Sequence, residues 1–172
     1  MEEQTKPAAS VMSVGLKWGA ISALVSIAFF IILIIAGLNA FDNKWGWIGS
    51  IFTIILLVLA HREFKDRGDG FMTYAQGVGI GFWSAVVATL VAGLFTYVYA
   101  NIIDPATMEN FYETQRIQME ERNMPDDQID VAIEWTKKLF WVFYAFGGVV
   151  GGTVIALIVS IFTQKKNPAP PF

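Results

Sequence analysis

Four long apolar runs, Trp18–Phe41, Trp45–Ala60, Gly70–Ile103 and Leu139–Gln164, constrain this chain more than any motif in it. None carries a charged residue, and each approaches or exceeds the roughly 20 apolar residues that carry a helix across a bilayer. A water-soluble helix breaks such a run at every turn, because one of its faces must meet solvent. The runs predict an all-α integral membrane protein of four transmembrane helices, with spans at about 18–41, 45–61, 74–100 and 139–163. Residues 1–13 read as a polar N-terminal tail, 14–163 as the membrane domain and 164–172 as a C-terminal tail.

With 172 residues, 55% of them hydrophobic, the chain has room for this domain and one modest segment outside it, but for no separate catalytic domain. A net charge of -3 offers no global basic field to nucleic acid. Cysteine is absent, which removes disulfide and thiolate chemistry. The first run is longer than the core of a cleaved signal peptide, about 7–15 residues, and has no small-x-small site at its end, so it is expected to stay as a span.

Asp42, Asn43 and Lys44 alone join the first two spans, which makes them an antiparallel hairpin. Trp45 and Trp47 suit the headgroup region at the start of the second. That span is short, and His61 and Arg62 at its end read as interfacial anchors that snorkel to the surface. Beyond them Arg62 with Asp66, and Glu63 with Arg67, are spaced for ion pairs that prolong the helix. Gly68 and Gly70 then permit a reversal.

Rows of small residues recur at helical spacing. Gly77, Gly81, Ser84, Ala85, Ala88 and Ala92 form one in the third span. Gly147 with Gly151, and Gly148 with Gly152, then Ala156, mark the fourth; Gly15, Gly19 and Ala23 mark the first. Because lipid is as apolar as leucine, membrane helices associate through such close-approach faces. Gly77, Gly81, Gly147, Gly148, Gly151 and Gly152 are therefore the expected helix-packing positions.

Between the third and fourth spans lies the one sizeable polar segment, Asp104–Lys138. Asp104-Pro105 and Pro125-Asp126-Asp127 are helix-start signals. Met108, Phe111, Tyr112, Gln115 and Met119 line one face of a first amphipathic helix, and Ile129, Ala132, Ile133 and Thr136 one face of a second. The segment reads as an extramembrane helical hairpin whose second helix runs directly into the fourth span. Met108, Phe111, Tyr112 and Met119 are its candidate partner face, with mutual burial of the two apolar stripes as the competing reading.

An even number of spans puts both termini on one side, together with the turn after the second span. That side holds seven basic residues (Lys6, Lys17, Arg62, Lys65, Arg67, Lys165, Lys166) against five opposite (Lys44, Arg116, Arg122, Lys137, Lys138). The excess places both termini in the cytoplasm and the acidic hairpin outside.

Little in the sequence suggests chemistry. His61 is the sole histidine, too few for a metal cluster or a nucleophile–base pair. Asp126, Asp130 and Glu134 stack carboxylates on one helix face, but a straight helix lacks the turn that encloses a calcium ion. Gly77-Val78-Gly79-Ile80-Gly81 opens a span and follows no strand, so packing explains it better than phosphate binding. No Asp, Glu, Lys, Arg or His lies within the span cores, and no Pro interrupts them, which argues against an ion-coupled pump. No catalytic residue, cofactor or metal is implied. The expected role is a non-enzymatic accessory or scaffold subunit whose hairpin docks a membrane-protein partner or a second copy. The alternative is a small-solute transporter or channel assembled as an oligomer.

The layout resembles the bacterial membrane family catalogued as domain of unknown function 4199, over about residues 14–163. The carrying segments are Gly15-Leu16-Lys17-Trp18-Gly19, Arg62-Glu63-Phe64-Lys65-Asp66, Gly70-Phe71-Met72-Thr73-Tyr74-Ala75-Gln76-Gly77 and Asp126-Asp127-Gln128-Ile129-Asp130. The resemblance implies four membrane helices, in a bacterial inner membrane, and no activity, cofactor or catalytic residue.

Overall fold

A computed structural model describes residues 10–167. The proposed N-terminal tail therefore lies outside the described residues up to position 9, as does the C-terminal tail from 168 onward. Among the described residues there are five helices: α1 (Val11–Ile35), α2 (Gly46–Arg67), α3 (Tyr74–Val98), α4 (Ala106–Glu121) and α5 (Asp126–Thr163). A 3₁₀ turn, Asn43–Trp45, precedes α2, and a π turn, Tyr99–Ile103, extends α3. Four of these helices, α1, α2, α3 with its extension and α5, are long and apolar enough to cross a membrane.

Local chemistry sets the helix ends. Ser10 caps α1 by accepting the Ser13 N–H at 3.0 Å, so this helix starts well before Trp18. It also ends before Phe41: Gly37, at φ +70°, closes it with Gly37 N–H on Ile34 O and Leu38 N–H on Leu33 O, both 2.9 Å. The remainder of the first apolar run is loop. Thr73 and Gln76 form a reciprocal capping box at the start of α3. At α4, the Asp104 carboxylate accepts the Thr107 hydroxyl at 2.7 Å while Pro105 takes up a helical φ, as Asp-Pro predicts.

The bundle is turned inside out relative to a soluble one. Leu24 and Phe146 are each 66% exposed and Phe162 81%, while Val14, Ala23, Ala60 and Ala156 are fully buried. Many large apolar side chains point outward, as expected where lipid surrounds the helices, while the interior combines these small residues with Leu57, Met72 and Ile80.

Two tight seams meet on α3. Along the antiparallel seam with α5, Gly77, Gly81, Ala85 and Thr89 oppose Ser160, Ala156, Gly152 and Gly148 in turn. A Cβ on Gly152 would lie 2.6 Å from that of Ala85, and one on Gly148 2.6 Å from Thr89 Oγ1; at Gly81 it would collide with the Ala156 methyl. Along the parallel seam with α1, Gly15 meets Trp83 and Ile80, and Gly19 meets Val87 and Ser84. There the Ser84 hydroxyl donates to the Gly15 carbonyl at 3.0 Å.

The expected hairpin is corrected here. Its second arm does run directly into the fourth span, but as one helix and not as half of a separate hairpin: α5 is unbroken through 38 residues, about 57 Å at 1.5 Å per residue. Only α4 is an additional helix. It is folded back on α5 by a turn in which Asn123 (φ 57°) directs its N–H to Glu120 O and Met124 directs its own to Met119 O. Arg116 then reaches Asp130 across the turn at 2.6 Å.

Gly152→Leu is expected to destabilise the protein by about 1–3 kcal/mol, because it overpacks a seam with no slack. Gly147→Ala, where nothing lies within 4 Å of the new methyl, should be neutral or stabilising by up to about 1 kcal/mol. Thermal unfolding in detergent compares the two.

Candidate functional site

The small-residue faces that make the seams leave a hollow where α2 stands away from them. About midway along the bundle, a cavity of about 740 Å³ lies between α1, α2, α3 and α5. Each helix contributes one face at i, i+3, i+4 spacing: Ser22 and Ser26 from α1; Gly46, Gly49, Ser50 and Thr53 from α2; Ala85, Ala88, Thr89 and Ala92 from α3; Tyr144, Gly147, Gly148, Gly151 and Gly152 from α5. Trp18, Leu57 and Ile155 line its end nearer the chain termini.

The wall is largely apolar but studded with hydroxyls. Ser50 and Thr53 return theirs to the Gly46 and Gly49 carbonyls at 3.0 and 2.9 Å, and Ser84 gives its own to Gly15. No Asp, Glu, Lys, Arg or His is among the lining residues. Such a wall favours an uncharged molecule with a few polar groups, and the volume falls within the range of about 300–1,000 Å³ common to small-molecule sites.

The six packing glycines divide into two groups. Gly77, Gly81, Gly148 and Gly152 are pressed into the α3–α5 seam, the last three also bordering the cavity, whereas Gly147 and Gly151 line the cavity with open space in front of them. This departs from their expected packing role. Both α5 rows have the same Gly-x-x-x-Gly spacing, but neighbouring residues on a helix point about 100° apart, so only one row can face α3.

Beside the cavity, toward the tail end of the bundle, α2 is tied by a polar node. His61 is fully buried, which corrects its expected role as an interfacial anchor. The apolar run ends near residue 60 but the helix continues to Arg67, leaving His61 inside the bundle. Its Nε2 lies 3.0 Å from the Gly77 carbonyl on α3 and its Nδ1 2.7 Å from the Thr163 hydroxyl on α5. A carbonyl only accepts, so Nε2 carries the hydrogen. Lys65 Nζ adds a 3.0 Å bond to Thr163 O. One turn away, Glu63 accepts from Lys17 Nζ at 2.7 Å, Trp18 Nε1 at 2.8 Å and Arg67 at 3.0 Å, joining α1 to α2. Met72 and Lys165 close the same end with a two-way backbone bridge, 2.9 and 2.8 Å.

The expected partner face is turned inward. Met108 is buried, and Phe111 packs its ring against Phe41 at 5.9 Å and Phe140 at 5.4 Å. Tyr112 lies under the Lys137 ammonium at 5.3 Å, and burial raises its hydroxyl pKa above the usual tyrosine value. Met119 is half-buried. These residues hold α4 onto α5 and the loop after α1. The acidic row is likewise engaged in part, Asp130 by Arg116 and Glu134 by Lys138 at 2.6 Å. In the first loop, the hydrogen bond from the Lys44 ammonium holds the Asp42 carboxyl below the usual carboxylate range.

A family profile described as protein of unknown function (DUF4199) matches residues 17–165. The chain belongs to this family. The match runs from the Lys17 that reaches Glu63 to the Lys165 that bridges Met72, so the DUF4199 region contains the polar node, the α3–α5 seam and the cavity. No curated protein and no solved structure matches the chain.

The cavity was not expected from sequence, although Ser22, Ser26, Ser50 and Thr53 within otherwise apolar spans were a signal of it. With no native cysteine to interfere, single Gly151→Cys and Ala156→Cys variants test its openness. In membrane-reconstituted protein, N-ethylmaleimide should modify the Gly151→Cys variant and spare the Ala156→Cys variant, as read by intact mass. A Gly151→Cys variant as unreactive as Ala156→Cys would mean the hollow is closed to small molecules.

Proposed function

We propose that the protein is a non-enzymatic, membrane-embedded binding protein for an uncharged amphiphile, held in the cavity between α1, α2, α3 and α5. The observation that carries this reading is a cavity wall of glycines, alanines and hydroxyls without a charged side chain. Inside a membrane such a wall has nothing to neutralise an ion, whereas its hydroxyls can hydrogen-bond a ligand hydroxyl or ester. The functional groups that catalysis requires, a nucleophile beside a base or a preorganised acid–base pair, do not converge on it.

The test uses 1-oleoylglycerol as the uncharged amphiphile. Native mass spectrometry of the detergent-purified protein should show one molecule retained, and Gly151→Phe, which fills the open space in front of Gly151, should abolish retention while preserving the melting temperature. Retention unchanged by Gly151→Phe would remove the cavity from the account. Passage of glycerol across proteoliposomes would replace binding with the small-solute channel.

A second reading keeps the accessory role. Its support is an outward apolar pair on the leading part of α5, Val131 (55% exposed) and Trp135 (58%), one turn apart. This pair, rather than the inward Met108 and Phe111, would meet a membrane-protein partner or a second copy.

We further propose that both termini are cytoplasmic, on the distribution of Lys and Arg, and that the membrane is a bacterial inner one, as the family resemblance implies. In intact cells, Glu121→Cys should be labelled by a membrane-impermeant maleimide and Asp66→Cys should not. The opposite pattern would invert the topology.

A further inference from the structure

The wall formed by α2 is fastened very unevenly. Its polar ties to other helices, His61 to Gly77 and Thr163, Glu63 to Lys17 and Trp18, Lys65 to Thr163, all fall within its last seven residues. The main hydrophobic cluster lies at the same end and includes Leu57, Ala60 and Phe64 with Val14, Met72, Ile80, Ala156 and Val159. In the other half, the Ser50 and Thr53 hydroxyls bond only to their own helix. On the α1 side that half is held by the Phe52 ring on Phe29, 5.7 Å apart. Its Gly46 and Gly49 line the cavity together with Gly147 and Gly151 of α5, and among the described residues nothing lies within 4 Å of where a side chain would project from any of the four.

From this asymmetry we infer that α2 is the movable wall of the cavity. Hinged at its Ala60–Arg67 end and resting on α1, it swings its Gly46–Thr53 half away from α5, so that a ligand enters sideways from the bilayer. This deepens the binding reading given above, on which its ligand depends. A doorway between two membrane-spanning helices faces acyl chains rather than water, so the ligand class becomes a bilayer lipid with an uncharged, hydroxyl-bearing headgroup, of the diacylglycerol type. His61 is the positioning residue of the hinge. It bonds α3 and α5 simultaneously from one ring, fixing the lower end of α2 against both walls of the slot while touching nothing in the cavity.

Double electron–electron resonance on spin-labelled protein in phosphatidylcholine nanodiscs tests the hinge. One label pair spans the doorway (Trp47→Cys with Phe146→Cys) and one spans the hinge (Arg62→Cys with Phe162→Cys), all at exposed positions. The doorway pair should give a broad, multi-peaked distance distribution and the hinge pair a single narrow one. Added dioleoylglycerol should sharpen and shift the doorway pair alone, and glycerol in the buffer should leave both unchanged. His61→Leu should broaden the hinge pair and abolish the lipid response, and His61→Gln, which keeps a donor toward Gly77, should restore both. A doorway pair as narrow as the hinge pair overturns the inference, as does lipid moving both pairs together. These wild-type distances decide the matter even where His61→Leu does not fold. A narrow doorway in a protein that still retains 1-oleoylglycerol defeats the hinge alone. A broad doorway in a protein that retains no amphiphile defeats the binding reading alone.

Discussion

Everything in this molecule depends on how closely other helices approach α3. Lipid gives two membrane helices no hydrophobic reason to prefer one another, so association rests on packing and on backbone-to-backbone proximity. The sequence of α3 supplies both along two faces. Gly77, Gly81 and Ala85 receive α5, while the face bearing Ile80, Trp83 and Ser84 receives Gly15 and Gly19 of α1. Once these contacts are made, three helices form a fixed slab, and α2 must find its place against it by other means.

Those other means are polar. An intramembrane or near-surface polar group unsatisfied by water is costly, so it fixes a neighbour in place when a partner is within reach. The imidazole of His61 meets that condition by donating to Gly77 O, and the Glu63 carboxylate meets it with three donors from two helices. Fastening by hydrogen bonds needs few residues and little contact area. It therefore leaves the other half of α2 free of close packing, and the hollow beside the slab is a direct outcome of that economy.

How far the sequence disclosed this differs from feature to feature. The spans were legible because a bilayer demands long apolar runs and little else produces them. Asp104-Pro105 and Pro125-Asp126 marked the starts of α4 and α5, because capping is local chemistry. The choice between Gly147/Gly151 and Gly148/Gly152 was not legible, since identical spacing on adjacent faces differs only in which way the helix is rotated. His61 was misread because hydropathy locates the end of an apolar run, not the end of a helix, and α2 outlasts its run by seven residues from His61 to Arg67. Met108 and Phe111 showed an apolar face truthfully but not what covers it, which came from Phe41 and Phe140, distant in sequence. The cavity was the least legible of all, because it is an absence of packing among four helices and no single helix carries it.

The continuity of α5 has a mechanical consequence. One uninterrupted helix begins beside α4, passes the glycines that border the hollow and finishes at Thr163 against His61. An α-helix resists bending and twisting far more than a loop does, so a torque applied to its leading segment through Arg116–Asp130 or Phe111–Phe140 is delivered along the shaft rather than lost at a joint. One stiff element thus joins the end of the molecule that carries α4, the glycines beside the hollow and the node around His61.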